Sequence, residues 1–146
     1  MLKAAAGVVV GYFVMAMVVF IIAVTAFLAL GVERAFAPGL YTPSWLWIAI
    51  TFACGFVAAI AGGWVCAAIA GRGRAPMVLA AVVVVLGLLL VLPAFTPESD
   101  PRPAARVAGE NFMTALTNAR QPAWVAALNP IVGAIGVLIG ARKKRG

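Results

Sequence analysis

Histidine is missing from all 146 residues, and only four residues are acidic. No Asp, Glu, Lys or Arg interrupts any of the four long apolar runs, 4–32, 45–70, 76–95 and 123–140. Each absence excludes a kind of chemistry. Without histidine there is no imidazole to hold haem or chlorophyll, and a metal site lacks its usual donors. Without an ionisable group in the apolar runs, proton relays, ion-coupled transport and general acid–base catalysis inside a bilayer have no residue to act through. No cofactor, metal or catalytic residue is expected, and the chain reads as non-enzymatic.

The two cysteines, Cys54 and Cys66, share one run. Twelve residues of helix separate them by about 18 Å, too far for a disulfide within the chain. Neither has a base or a second thiol nearby in sequence, so both read as small buried hydrophobes. Glu98 and Asp100 lie together among prolines, and a solvated charge cluster describes them better than a Ca²⁺ site.

What is present is grease. Hydrophobic residues make up 65% of the chain, charged residues 10%, and the mean hydropathy is +1.11. Soluble domains are about 45–50% apolar and about 25% charged. A helical span takes roughly 20 apolar residues, so the four runs predict an all-α, four-helix transmembrane bundle forming one integral membrane domain. The first run is nearly twice as long as the roughly 7–15-residue core of a signal peptide. With Met1 and Lys3 ahead of it, it is expected to be a retained span.

A net charge of +7 would suggest nucleic acid in a soluble protein, but its distribution points to topology. Lys3, Arg72, Arg74, Arg142, Lys143, Lys144 and Arg145 fall at the two ends and in the loop between the second and third runs. Arg34, Arg102, Arg106 and Arg120 in the other loops are balanced by Glu33, Glu98, Asp100 and Glu110. Basic residues near span ends stay in the cytoplasm. Both termini are therefore expected inside, with a short inner loop, a long outer loop, and no nucleic-acid partner. The Ala/Val/Gly-rich composition and compact plan are those of small bacterial inner-membrane proteins. Arg142, Lys143, Lys144 and Arg145 anchor this topology and also attract anionic lipid headgroups, at about 1 kcal/mol per charge near the surface.

The second run carries a stripe of small residues, Gly55, Ala59, Gly63, Ala67 and Gly71, at every fourth position. On a helix these share a face, which lets a second backbone approach closely. Gly7 and Gly11 in the first run, and Gly136 and Gly140 in the fourth, repeat the spacing. Contacts are expected between the first and second, the second and third (antiparallel neighbours) and the third and fourth runs, with the second meeting the fourth through these faces. The third run, apolar all round, reads as the most lipid-exposed. Asn129-Pro130 in the fourth predicts a kink or a broken helix.

Between the runs, Pro38-Gly39 marks a turn, and Phe36, Tyr41, Trp45 and Trp47 read as an aromatic belt. Ser44 is the expected cap of the second helix. In the long loop, TPESDPRP should be extended, while NFMTALTNAR reads as a short amphipathic helix capped by Asn111, with Phe112, Met113, Leu116 and Ala119 on one side.

The leading functional expectation is a structural or accessory subunit that packs through its small-residue faces against itself or a larger membrane complex. Four helices were not expected to use all those faces internally. The alternative is a passive channel or carrier for a small neutral or apolar molecule, with Asn129 at its constriction.

Overall fold

Helix starts and stops follow local chemistry. The computed structural model describes residues 2–71, 73–92, 103, 105–107 and 109–142. The chain runs α1 (Leu2–Leu30), α2 (Val32–Ala35), α3 (Trp45–Ala70), α4 (Ala75–Val91), α5 (Phe112–Thr117) and α6 (Ala123–Arg142). Gly31, at φ 73°, ends α1 two residues before the expected boundary and turns the chain into the single turn of α2. The Ser44 hydroxyl oxygen accepts from the Trp47 amide at 3.2 Å and caps α3. Pro76 sits in the first turn of α4, where its missing N–H costs nothing. No strand forms among the described residues, which hold only two isolated bridges, Phe36 with Pro43 and Leu40 with Ala105.

Three helices, α1, α3 and α6, are long and apolar enough to cross a membrane. The apolar helix α4 has 17 residues, short of the roughly 20 a span takes. The end of the expected third run, 93–95, lies outside the described residues. Of the kink or break expected in the last helix, the break does not form: α6 continues through Asn129 and Pro130 to Arg142.

The four long helices touch in a ring, α1 to α3, α3 to α6, α6 to α4, and α4 back to α1 on the loosest side. Side-chain volume explains the order. A Cβ on Gly11 would lie 2.8 Å from the Gly62 carbonyl oxygen, and one on Gly62 2.6 Å from the Gly11 carbonyl oxygen. Gly7 approaches the Cys66 carbonyl oxygen in the same way, at 2.9 Å. These pairings run antiparallel, so α1 and α3 meet backbone to backbone. On a neighbouring face of α3, Gly63 abuts the Val137 backbone, Gly140 abuts the Ile60 backbone, and a Cβ on Gly136 would stand 2.7 Å from that of Ala59. Here the two helices run parallel. Ala67 is buried in the same region.

Two stripe residues do other work. A Cβ on Gly55 meets nothing within 4 Å, because that side of α3 faces open space. Gly71 also has nothing nearby; its φ of 71° ends α3, a conformation that suits glycine.

Helix α4 differs from expectation twice. It touches α3 only lightly, and its main contact is the expected one with α6, where Gly87 makes room for the Pro130 ring and Val83 meets Gly133. The short loop joins α3 to α4 but does not choose α4's main partner. It is also not the most exposed helix. It buries Leu79, Ala80 and Val83 among others, whereas α1 buries only Gly7, Gly11 and Phe27 over 29 residues.

Gly63→Leu is expected to destabilise the fold by about 3 kcal/mol or more, the upper end for overpacking, because its neighbour is backbone that cannot yield. Gly55→Leu should cost less than about 1 kcal/mol, since it enters open space and improves helix propensity. Denaturant titration in bicelles followed by circular dichroism measures both. Equal losses would contradict this packing.

Candidate functional site

Close approach of α1 to α3 is concentrated toward the start of α1, at Gly7 and Gly11. Beyond it, all four long helices line a crevice of about 580 Å³, within the range of small-molecule sites. Along α1 it extends from Tyr12 through Met15 and Val19 to Ala23, about 16 Å of helix. Thr51, Cys54 and Gly55 of α3 form one wall, and Leu86, Gly87 and Leu90 of α4 another. Helix α6 supplies Ala126, Asn129, Pro130 and Gly133.

Among the described residues, no Asp, Glu, Lys or Arg lines this space. Its polar groups are few. The Thr51 hydroxyl donates to the Ile48 carbonyl at 2.8 Å and so is engaged locally. The Asn129 side chain makes no hydrogen bond to another described residue. Pro130 has no N–H to give the carbonyl four residues back, so Ala126 loses its usual helical donor. Ala126, whose carbonyl lacks its helical donor, and Asn129, whose amide has no partner among the described residues, thus both line one apolar crevice. Asn129-Pro130 leaves the helix intact and changes its hydrogen bonding instead. Gln121 stands at the outer end, beside a smaller hollow of about 140 Å³ that shares Thr51 and Gln121 and reaches Phe27, Phe36 and Trp47.

Above that hollow lies a cap made from the connection between α1 and α3 and from the segment that precedes α6. Phe27 meets Phe36 edge-on at 6.2 Å and Trp47 at 5.2 Å, over fully buried Ala35 and Ala115. The turn at Pro38-Gly39 (φ 68°) brings Leu40 beside Ala105, and Gly39 accepts from the Arg106 amide at 2.9 Å. The Arg106 guanidinium donates two bonds of 2.8 Å to the Glu33 carboxylate, with the arginine side chain 2% exposed and the glutamate 69%. The buried Tyr41 hydroxyl donates to Glu110, 2.7 Å from both oxygens. Arg106 beside Glu33 holds that carboxyl below its ordinary value. The bond to Glu110, and secondarily burial, pushes Tyr41 up.

In the sequence these charges merely cancel. In the structure they join α2 and its turn to a segment about 70 residues later, a pairing no local pattern signals. The expected aromatic belt divides. Phe36 and Tyr41 turn inward and Trp47 packs on the cap cluster, while Trp45 stays 77% exposed beside Trp124 at 5.8 Å. Asn111 caps α5 as expected, its side-chain oxygen accepting from the Thr114 amide at 2.9 Å. Of the expected face of α5, Ala119 packs against the cap cluster while Met113 is exposed, and Ala115 is an added buried contact; the side chains of Phe112 and Leu116 lie outside the described residues. Of the basic tail, Arg142 ends α6 and is exposed; Lys143, Lys144 and Arg145 lie outside the described residues, as do Glu98 and Asp100.

The cap bonds set a pH window. Glu33, lowered from 4.5, contributes stability that is complete above that value and is lost as pH falls through the depressed value. Tyr41, raised from 10.0, contributes stability that is complete below that value and is lost as pH rises through the elevated one. Amide protection over 105–107 and 109–120, taken relative to the intrinsic exchange rate at each pH, should therefore be greatest between these limits and fall at either side. Glu33→Gln should remove the acid limb alone and Tyr41→Phe the alkaline limb alone. A flat profile would contradict these pairings.

Comparison with protein-family models, with curated proteins and with solved structures finds no match to this chain.

Proposed function

We propose that this is a small bacterial inner-membrane protein, a four-helix transmembrane bundle with both termini cytoplasmic. It binds a small neutral, largely apolar molecule as a passive carrier or channel and performs no catalysis. One observation carries the reading: an uncharged crevice lined by all four long helices, with Asn129 and the Ala126 carbonyl as its under-used polar groups. A charged solute would lose its hydration here with nothing to replace it. In this reading α4 is the third span, extended by the apolar residues that follow it in sequence. The basic residues at the chain ends and in the inner loop, which no acidic residue balances in sequence, support the orientation, and so does the Arg106–Glu33 pair between the other two connections.

The expected argument for an accessory subunit loses its main premise, because most of the small-residue contacts are made within the chain. A different observation still favours that role as a second reading. Almost the whole length of α1 is open, with Val9, Phe13, Phe20 and Leu28 outward, which leaves room for a second copy or a larger membrane complex.

Purification in mild detergent with native lipid, followed by native mass spectrometry, separates the readings. The carrier reading expects a bound small molecule whose mass disappears in Gly55→Phe, which fills the crevice from an unobstructed position. The second reading expects co-purifying protein or a self-oligomer. A bare monomer with neither would overturn both. A cysteine added after Gly146 should stay closed to an impermeant maleimide outside the cell, and its labelling would refute the orientation.

A further inference from the structure

We infer that the crevice takes a neutral, single-chain lipid with a hydroxyl head, and that the hydroxyl is held between Asn129 and the Ala126 carbonyl. The inference rests on the carrier reading above and specifies its ligand.

Three observations select this chemistry. The first is charge. With no Asp, Glu, Lys or Arg among the described lining residues, a fatty-acid carboxylate or an amine would be buried without a counter-ion, which penalises both. The second is shape. The space follows one face of α1 for about 16 Å, between the glycine side of α3 at Gly55 and the apolar wall of α4, so it suits an extended hydrocarbon better than a compact solute.

The third is hydrogen-bonding sense. Pro130 deprives the Ala126 carbonyl of its helical donor. A carbonyl can only accept, and within a membrane an unmet one is costly. A ligand that answers it must bring a hydrogen. Asn129, one residue before the proline on the same helix, offers both an acceptor and two donors and spends none of them on a described residue. A hydroxyl is the smallest uncharged group that donates to Ala126 and accepts from Asn129 at once. Ethers, esters and ketones can accept but not donate.

Photolabelling of the full chain in phosphatidylcholine vesicles tests this. Three probes of equal chain length carry a diazirine: a long-chain alcohol, its methyl ether and the corresponding fatty acid. The alcohol should label crevice peptides of α3 and α6 about tenfold more than the ether, the effect of one carbonyl left unpaired, and more than the acid. Pro130→Ala, which restores an N–H for Ala126 and suits a helix, should bring alcohol and ether labelling to within about twofold of each other while both still label. Equal labelling by alcohol and ether in the unmodified protein, or a preference that survives Pro130→Ala, would overturn the hydroxyl assignment and leave the carrier reading standing. If no probe labels these peptides above the level seen in Gly55→Phe, both fall together.

Discussion

Everything in this structure depends on how closely α3 lets its neighbours come. Gly62 and Cys66 receive α1 at Gly11 and Gly7, while Ala59, Ile60 and Gly63 receive α6 at Gly136, Gly140 and Val137. These are approaches of backbone to side chain and backbone to backbone. In lipid there is little gain from excluding water between helices, so dispersion at short range must hold them. Small residues are the means of getting that range. One helix serves two partners because the two sets of small residues occupy different faces of the same cylinder.

The crevice is the counterpart of that tightness. Helices that touch at Gly7, Gly11 and Gly62 leave α1 free of such contact further along, and α4 closes on α1 less firmly than on α6. Gly87 and Pro130 set the α4–α6 side: a ring on one helix occupies the space of a missing side chain on the other. The proline thus does two things at once. It fills a packing notch and leaves the carbonyl of Ala126, a residue of the crevice lining, without its helical donor. Over the outer end, Arg106–Glu33 and Tyr41–Glu110 tie two distant connections into one cap, resting on Phe27, Phe36 and Trp47.

Sequence alone discloses what is decided within a few residues. Ser44, Pro76 and Asn111 announce their helix starts because a cap is a local bond. The apolar runs announce α1, α3 and α6 because length and composition decide whether a helix can cross a membrane. Small-residue spacing marks Gly7, Gly11, Gly63, Gly136 and Gly140 as able to pack and suggests the pairing of the second run with the fourth, but it does not say which residues of α3 receive Gly7 and Gly11. Gly62 falls outside the period-four stripe yet meets Gly11, while Gly55 falls inside it and meets nothing. The reason is that a helix with two neighbours needs two faces, and one stripe describes one. The crevice is harder still to foresee, since empty space is a property of four helices together. Asn129-Pro130 was visible as an anomaly, but a break and a stripped carbonyl have the same sequence signature.

The central claim is that the glycine faces join helices of one chain. A disulfide tests it directly, between cysteines at positions 7 and 70 in a background of Cys54→Ala and Cys66→Ala. A Cβ at position 7 would lie 3.0 Å from that of Ala70, under an ångström from the usual disulfide spacing of about 3.8 Å. Mild oxidation in native membranes should give a cross-link at monomer mass, with little at dimer mass. A cross-link formed chiefly between two copies would contradict the account, because those faces would then serve assembly and α1 would not be seated on its own α3.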